Sequence, residues 1–159
     1  MLEKDFEKEL PESQAQSGSL ENKVYQTDDP IDNPNVPSDI EMVPVDQVRH
    51  DVTGPQDFRS PEEYASFRRE SEMLKQMQPA IEQGAGPETW DAWDKANQIG
   101  PYSQGEYTRG YTDVWDAFYK NDTIAVEWRG DHYEVLNGRH RLYVAQEAGL
   151  KSVPARVIR

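Results

Sequence analysis

Hydrophobic residues recur at helical spacing over residues 60–82. In SPEEYASFRRESEMLKQM, Ser60 stands at an N-cap position, Pro61 takes the first helical position and Glu63 completes a capping box. The pattern predicts a helix with one apolar side facing the core and with Pro79 marking a stop or kink near its end. The apolar positions are Tyr64, Phe67, Leu74, Met77 and Ile81.

Two shorter helices are predicted in the middle of the chain. PETWDAWDKANQ follows the helix-breaking GAGP at 84–87, and TDVWDAFYKND has Thr112 or Asp113 as its cap. A Gly- and Tyr-rich loop, GPYSQGEYTRGYTD, separates them. Three of the four tryptophans lie between residues 90 and 115. Aromatic rings can stack on nucleic-acid bases, but packing of small helices onto a sheet is the favoured interpretation.

Strand patterns dominate the rest of the chain. MVPVDQV (42–48) predicts a short strand and turn, with Pro44 at its start or on a sheet edge. TIAVEW (123–128) and HYEVL (132–136) alternate as two strands joined by a Gly-Asp turn, which explains the RGD triplet better than cell adhesion does. HRLYVAQEAG predicts a helix ended by Gly149 at C′. The final strand is SVPARVI, with Pro154 at an edge or at its beginning.

These elements define an α/β chain of the α+β kind, with helices packed on a small mixed sheet. Residues 1–41 are rich in acidic, Ser, Asn and Pro residues, and we expect them to be a disordered or loosely docked acidic extension. Residues 42–159 are expected to form the folded domain, with no internal repeat.

Charge is distributed unevenly. The formal net charge is −13, yet residues 123–159 carry +2. An acidic body disfavours binding along an extended nucleic acid, whereas a small cationic pocket fits a compact anion. The absence of cysteine excludes a disulfide, a thiolate nucleophile and a Cys-bound metal. No apolar run approaches a membrane span, so no membrane partner is expected.

The chemistry concentrates at Asn137-Gly138-Arg139-His140-Arg141, between a predicted strand and a predicted helix. A glycine turn followed by helix amides is suited to phosphate, which the two arginines could clamp while His140 binds or moves a proton. Asn-Gly is also a common turn, and arginines at a helix start can be merely solvated. Cations there oppose the helix dipole, however, and this favours a bound anion.

The arrangement resembles the ParB/sulfiredoxin superfamily. The matching motifs are Val43-Pro44-Val45-Asp46, Gly138-Arg139-His140-Arg141, Gly149-Leu150 and Val153-Pro154-Ala155, and the match covers residues 42–82 and 123–158. The resemblance implies a ParB/sulfiredoxin-like fold in which Gly138, His140 and Arg141 bind nucleotide phosphates, with Arg139 at a variable position. It also implies a helical insertion at 83–122 that covers the phosphate site or forms the substrate pocket.

Two activities of that superfamily are disfavoured by departures from its pattern. The sulfinic acid reductases carry a cysteine where this chain has Arg139. The chromosome-partition proteins favour G-E-R-R and continue into a DNA-reading helix-turn-helix, whereas this sequence stops at Arg159. Nucleotide-dependent kinases and ParB-like nucleases, some of them carried by bacterial toxins, remain.

We therefore expect an enzyme that uses a nucleotide or nucleic-acid phosphate bound at 137–141. It would be a ParB-like nuclease, nucleotide hydrolase or phosphotransferase, with His140 and Arg141 catalytic. ATP or CTP is the expected nucleotide, and Mg²⁺ would accompany a triphosphate. No zinc site is predicted, because His50, His132 and His140 lack zinc-site spacing. The candidates for a general base are Glu41, Asp46, Glu63, Glu70 and Glu82.

The alternative is a non-catalytic regulatory module that binds a nucleotide or protein and switches the 83–122 segment. The acidic extension could be a tail that binds a protein partner. A single domain behind such a tail also resembles a bacterial effector or toxin module, which places the chain either in the cytoplasm or inside a target cell after delivery as part of a larger secreted protein.

Overall fold

A computed structural model describes residues 29–159, with side chains from residue 31 onward. The described residues form one mixed sheet in the order β1-β2-β6-β4-β5-β3. Strand β6 is antiparallel to β2 and parallel to β4, while β5 is antiparallel to β4 and parallel to β3. The strands are β1 (Asp29–Pro30), β2 (Ile40–Pro44), β3 (Val48–Arg49), β4 (Ile124–Trp128), β5 (Tyr133–Asn137) and β6 (Ser152–Ile158).

Four α-helices pack with this sheet in the described part of the chain, and the predicted α+β class is confirmed. The main core joins sheet residues such as Val43, Ile124 and Val153 to helix residues such as Leu74 and Phe118, all fully buried. The helices are α1 (Pro61–Glu82), α2 (Pro87–Asn97), α3 (Tyr111–Tyr119) and α4 (Arg139–Glu147).

Helix α1 begins where its sequence predicts. Ser60 Oγ accepts a hydrogen bond from Glu63 N at 3.0 Å. The return bond of the predicted capping box is displaced by one residue, because the Glu63 carboxylate accepts from Arg59 N rather than from Ser60 N. The helix also continues three residues past Pro79, since tertiary packing of the buried Met77 and Ile81 holds its last turn.

The start of helix α3 differs from its prediction. Gly110 is the N-cap, and Asp113 lies at N3, where its carboxylate accepts from Gly110 N at 2.8 Å. Two other amides of this first turn donate to Asp94, a buried carboxylate of α2: Tyr111 N at 2.5 Å and Thr112 N at 3.2 Å. The carboxylate of the neighbouring helix therefore adds to the local contact of Asp113, one of the two predicted capping residues.

Helix α4 ends as its sequence predicts. Gly149 has φ +86° and lies just past the C-cap, Ala148. Its N–H donates to Gln146 O at 3.1 Å, and Leu150 N donates to Ala145 O at 3.0 Å. These two bonds form a Schellman motif, which satisfies carbonyls that the helix end would otherwise leave without donors.

The aromatic residues at helical spacing belong to two clusters. Trp90, Trp93 and Trp115 are almost completely buried in the main core, so packing is their role and their faces are closed to bases. Tyr64 and Phe67 lie instead in a smaller cluster with Phe58, Val52 and Val144, where the segment before α1 crosses α4. This second cluster adjoins the candidate site.

The hairpin of β4 and β5 is confirmed, with Gly130 in the turn at φ +97°. Pro154 is an exception to its prediction, because β6 lies inside the sheet rather than at an edge. Pro154 pairs with Met42 of β2, and the parallel ladder with β4 begins one residue later, at Ala155. Proline is tolerated at this position because it precedes that ladder.

The ordered domain begins earlier than the predicted boundary at residue 42. Strand β2 starts at Ile40, and Asn33 and Val36 before it are buried. The Asn33 side chain donates to Ile81 O at 2.9 Å and Ala85 O at 2.8 Å, which fastens this segment to the end of α1. Residues 1–28 of the predicted extension lie outside the described residues.

In the part of the chain that the structure describes, no helix combines the length and apolarity that crossing a membrane requires.

Candidate functional site

The centre of the candidate site is the turn from β5 into α4. Gly138 has φ +98° and ψ +25°, a left-handed conformation that favours glycine. A Cβ at this position would lie 2.9 Å from Ile124 Cγ1 and 3.3 Å from Arg141 Nη2. The turn therefore requires glycine both for its backbone angles and for the space around it.

The first turn of α4 presents main-chain N–H groups without a side-chain cap. The first bond along the helix is from Leu142 N to Gly138 O at 3.0 Å, so the preceding amides have no partner within the helix. No acidic residue lies in this turn, and no side chain caps Gly138. Two arginines and a histidine stand there instead, an arrangement that opposes the helix dipole unless an anion compensates it.

A cleft of about 290 Å³ opens above this turn. Its lining combines three apolar side chains, Phe67, Val135 and Leu136, with the cationic turn. All five residues predicted to bind phosphate line it. The lining is formed by Phe67, Asp122, Val135, Leu136, Asn137, Gly138, Arg139, His140 and Arg141.

Arg141 is the buried cation of the site, with 5% of its surface exposed. Its Nη1 donates to Ala117 O of α3 at 3.0 Å, and its guanidinium lies 5.4 Å from the centre of the Phe118 ring. Its Nη2 lies 3.7 Å from Asp122 Oδ2 and faces the Gly138 turn. Burial lowers the pKa of Arg141, while the carboxylates of Asp122 and Glu70 act in the opposite direction.

Arg139 is a different kind of residue, because its side chain is 52% exposed. Its Nη1 contacts both carboxylate oxygens of Asp51, at 2.9 and 3.0 Å, and the Asp51 side chain is 74% exposed. An ion pair this open to solvent contributes about 1 kcal/mol or less. The guanidinium can exchange this partner for a phosphate with little loss.

His140 is fixed by the segment that precedes α1. Its Nε2 lies 3.0 Å from Asp57 O; a carbonyl only accepts, so this nitrogen carries a proton. The ring contacts Phe58 edge-on, with centroids 4.8 Å apart, and lies parallel to Phe67 at 6.5 Å. Nδ1 is therefore the ring nitrogen that this contact leaves available to a ligand.

Three of the predicted general bases lie away from the cleft lining. Glu41 accepts from Arg159, and Glu82 ends α1. Asp46 lines a separate cleft of about 390 Å³ between the end of β2 and the start of β6.

The other two candidates have structural partners on α1. Glu63 caps the helix start and pairs with Arg59. Glu70 is 4% exposed and forms an ion pair with Arg109 of the Tyr-rich loop. Burial raises the pKa of Glu70, whereas Arg109 and then Arg141 lower it. Glu70 thus lies within the field of Arg141 without lining the cleft.

Asp122 and Phe67 are parts of the site that sequence reasoning did not assign to it. Asp122 is in the short link between α3 and β4, and its carboxylate enters the cleft beside Arg141. No local signal could have found it, since an Asn-Asp pair after a helix is typical of a loop. Of the 83–122 segment predicted to cover the site, Asp122 lines the cleft, and Ala117 and Phe118 contact Arg141 from behind.

No protein-family model matches this chain, and no curated protein matches its sequence. The resemblance to the ParB/sulfiredoxin superfamily stays a prediction. Among residues 29–159, no three His, Asp or Glu side chains are grouped so that they could share a metal ion.

Proposed function

We propose that this protein binds a phosphate compound at residues 137–141 and catalyses phosphoryl transfer or hydrolysis on it. The observation that carries the proposal is the position of Arg141 Nη2. This nitrogen belongs to a buried guanidinium, faces the Gly138 turn, and lies 3.7 Å from the carboxylate of Asp122. A phosphate above the turn would meet Nη2 and the free amides of α4 together.

Each of the five residues has a role in this proposal, which its placement supports. Gly138 allows close approach of the phosphate to the backbone, and Asn137 ends β5 at the rim of the cleft. Arg139 leaves Asp51 to contact a second phosphate oxygen. Arg141 stabilises the charge that develops in the transition state, and His140 donates a proton from Nδ1 to the leaving oxygen.

A nucleotide is the substrate class that the predicted superfamily membership favours, with ATP and CTP as the first candidates. The turn supports a phosphate group because the amides that begin α4 have no partner within the helix and Arg141 Nη2 faces Gly138. Mg²⁺ would be held chiefly by phosphate oxygens and water, as is usual for this ion. Its chemistry would be to neutralise charge on the phosphates.

Isothermal titration calorimetry with inorganic phosphate, ATP and CTP tests the site. Arg139→Gln is the informative variant, because its exposed ion pair contributes little to stability and the variant is expected to stay folded. Arg156→Gln is the matched control, since Arg156 forms a comparable surface pair with Asp39 at 2.8 Å. We expect wild type and Arg156→Gln to bind and Arg139→Gln to bind roughly tenfold more weakly, which corresponds to one lost charged contact.

Equal binding by wild type and Arg139→Gln, or no binding by either, contradicts the phosphate site. Product analysis after incubation with Mg²⁺ and each nucleotide then tests catalysis. We expect release of inorganic phosphate or phosphoryl transfer.

A regulatory module is the second candidate, and the bond from Arg141 to Ala117 favours it. This contact links the turn directly to α3 of the 83–122 segment. Binding of phosphate without turnover of any tested nucleotide, together with altered hydrogen exchange in α3, would select this function over catalysis.

A further inference from the structure

Asp122 differs from every other carboxylate considered for this site. It lines the cleft, and among the described residues it is the one acidic residue in that lining. The side chain is 73% exposed, so water reaches it freely. The general bases proposed from sequence lie outside the lining.

The cation that holds Asp122 is also the one that faces the turn. Arg141 Nη2 lies 3.7 Å from Asp122 Oδ2 and 3.3 Å from the point where a Cβ of Gly138 would stand. A phosphate bound at the turn would therefore share Nη2 with the carboxylate, and one guanidinium nitrogen would hold both groups at the cleft. Arg141 itself is fixed by Ala117 O and Phe118, so the position of Asp122 relative to the turn is held by a buried group.

We propose that Asp122 is the general base of this cleft and that the nucleophile it activates is water, so that the reaction is hydrolysis. This inference rests on the proposed phosphate site. The Asp122 carboxylate takes one proton from a water molecule as the water oxygen forms a bond to phosphorus. The bond from phosphorus to the leaving oxygen breaks, its electron pair stays on that oxygen, and the oxygen takes a proton from the imidazolium of His140. Solvent then removes the proton from Asp122 and returns one to His140.

Water is proposed as the nucleophile because the Asp122 side chain is exposed to solvent. A second substrate hydroxyl would need a pocket that orders it, whereas the Asp122 side chain faces solvent over most of its surface. A general base acts on a nucleophile within hydrogen-bond reach. Bulk water can reach the Asp122 carboxylate at that distance without further binding groups.

The test compares wild type, Asp122→Asn and Asp39→Asn as full-length chains. Asp39 is the control because it is also an exposed carboxylate paired with an arginine, Arg156, and lies outside the cleft. Hydrolysis of ATP, CTP and p-nitrophenyl phosphate is measured with Mg²⁺, and binding of inorganic phosphate is measured by calorimetry. We expect Asp122→Asn to lower kcat about 100-fold or more while phosphate affinity stays within about threefold, and Asp39→Asn to match wild type.

Chemical rescue separates a base from a structural residue. We expect added formate to restore part of the rate of Asp122→Ala, since formate can replace the missing carboxylate. Unchanged kcat in Asp122→Asn, or loss of phosphate binding together with activity, overturns the proposal. Wild-type binding of phosphate without hydrolysis of any substrate overturns the role of Asp122 and leaves the phosphate site standing. Absence of wild-type phosphate binding removes the site itself.

Discussion

Arg141 Nη1 donates a hydrogen bond of 3.0 Å to Ala117 O, and so one guanidinium joins the end of α3 to the beginning of α4. Ala117 lies in the last turn of α3, where carbonyls lack partners within the helix and the dipole favours a cation. The same side chain is unfavourable at the start of its own helix. Its placement is explained by the neighbouring helix on one side and, in the proposed function, by a phosphate on the other.

Replacement of Arg141 should reduce stability much more than replacement of Arg139. Arg141→Ala leaves Ala117 O without its donor and removes buried packing on Phe118, and we expect a loss of about 1–3 kcal/mol in the free energy of unfolding. Arg139→Ala breaks only an exposed pair with Asp51 and should cost about 1 kcal/mol or less. Urea denaturation measures both; equal losses would show that Arg141 is not structural.

Gly138→Ala should destabilise the fold more than Gly130→Ala. Both glycines have nearly the same positive φ, +98° and +97°, so the backbone strain of about 1–2 kcal/mol is shared. Only at residue 138 would the added Cβ meet another atom, Ile124 Cγ1 at 2.9 Å, whereas nothing lies within 4 Å at residue 130. Thermal unfolding of the two variants gives the difference, and a Gly130 variant as unstable as the Gly138 variant would contradict the contact argument.

Asp94→Ala should destabilise α3. The two first-turn amides that donate to this carboxylate, Tyr111 N and Thr112 N, would lose their acceptor, and we expect a cost of about 1–3 kcal/mol. Asp91→Ala is the control on the same helix, because Asp91 accepts from the exposed Tyr102 hydroxyl and not from an amide of α3. Hydrogen exchange of the α3 amides should accelerate in the first variant and not in the second. Unchanged exchange in both would contradict the role of Asp94 as a cap.

Glu70 should make stability depend on pH in the acidic range. Burial raises the pKa of Glu70 above its ordinary value of 4.5, so the folded protein holds this proton more tightly than the unfolded chain does. As pH rises from 4.5 towards the folded-state pKa, the unfolded chain releases the proton first, and stability falls across that interval. Below 4.5 this contribution to stability is fully present.

Glu70→Gln removes the titrating carboxyl group and with it this contribution to the pH dependence of stability. We expect the midpoint temperature of wild type to fall relative to that of the variant as pH rises from 4.5 to the folded-state pKa of Glu70. Above that pH the two midpoint temperatures should change in parallel. Glu72→Gln, at an exposed position on the same helix, should follow wild type. Identical pH profiles for wild type and Glu70→Gln would contradict the prediction.

The grouping of Asn137 to Arg141 at one cleft could be predicted from sequence because these residues are contiguous. Asn137 to Arg141 form one turn, and a glycine between a strand and a helix fixes their arrangement locally. The carboxylate that lines the cleft, Asp122, could not be predicted in this way. Glu63 could be recognised from sequence as part of the cap of α1, whereas only packing shows that Glu70 is buried against Arg109.

The sequence by itself determined the elements whose signals are local. Ser60 and Gly149 mark the ends of two helices through their own hydrogen bonds, and the alternating strands around Gly130 specify the hairpin. The α+β class follows from these patterns.

Tertiary structure alone decided what depends on partners distant in the chain. It assigned Asp94 as the cap of α3, placed Pro154 inside the sheet, and brought Asp122 to the same guanidinium nitrogen that faces Gly138. The physical reason is that a cap, a turn or an amphipathic face involves neighbours within a few residues. A buried charge must find its partner wherever the fold brings one.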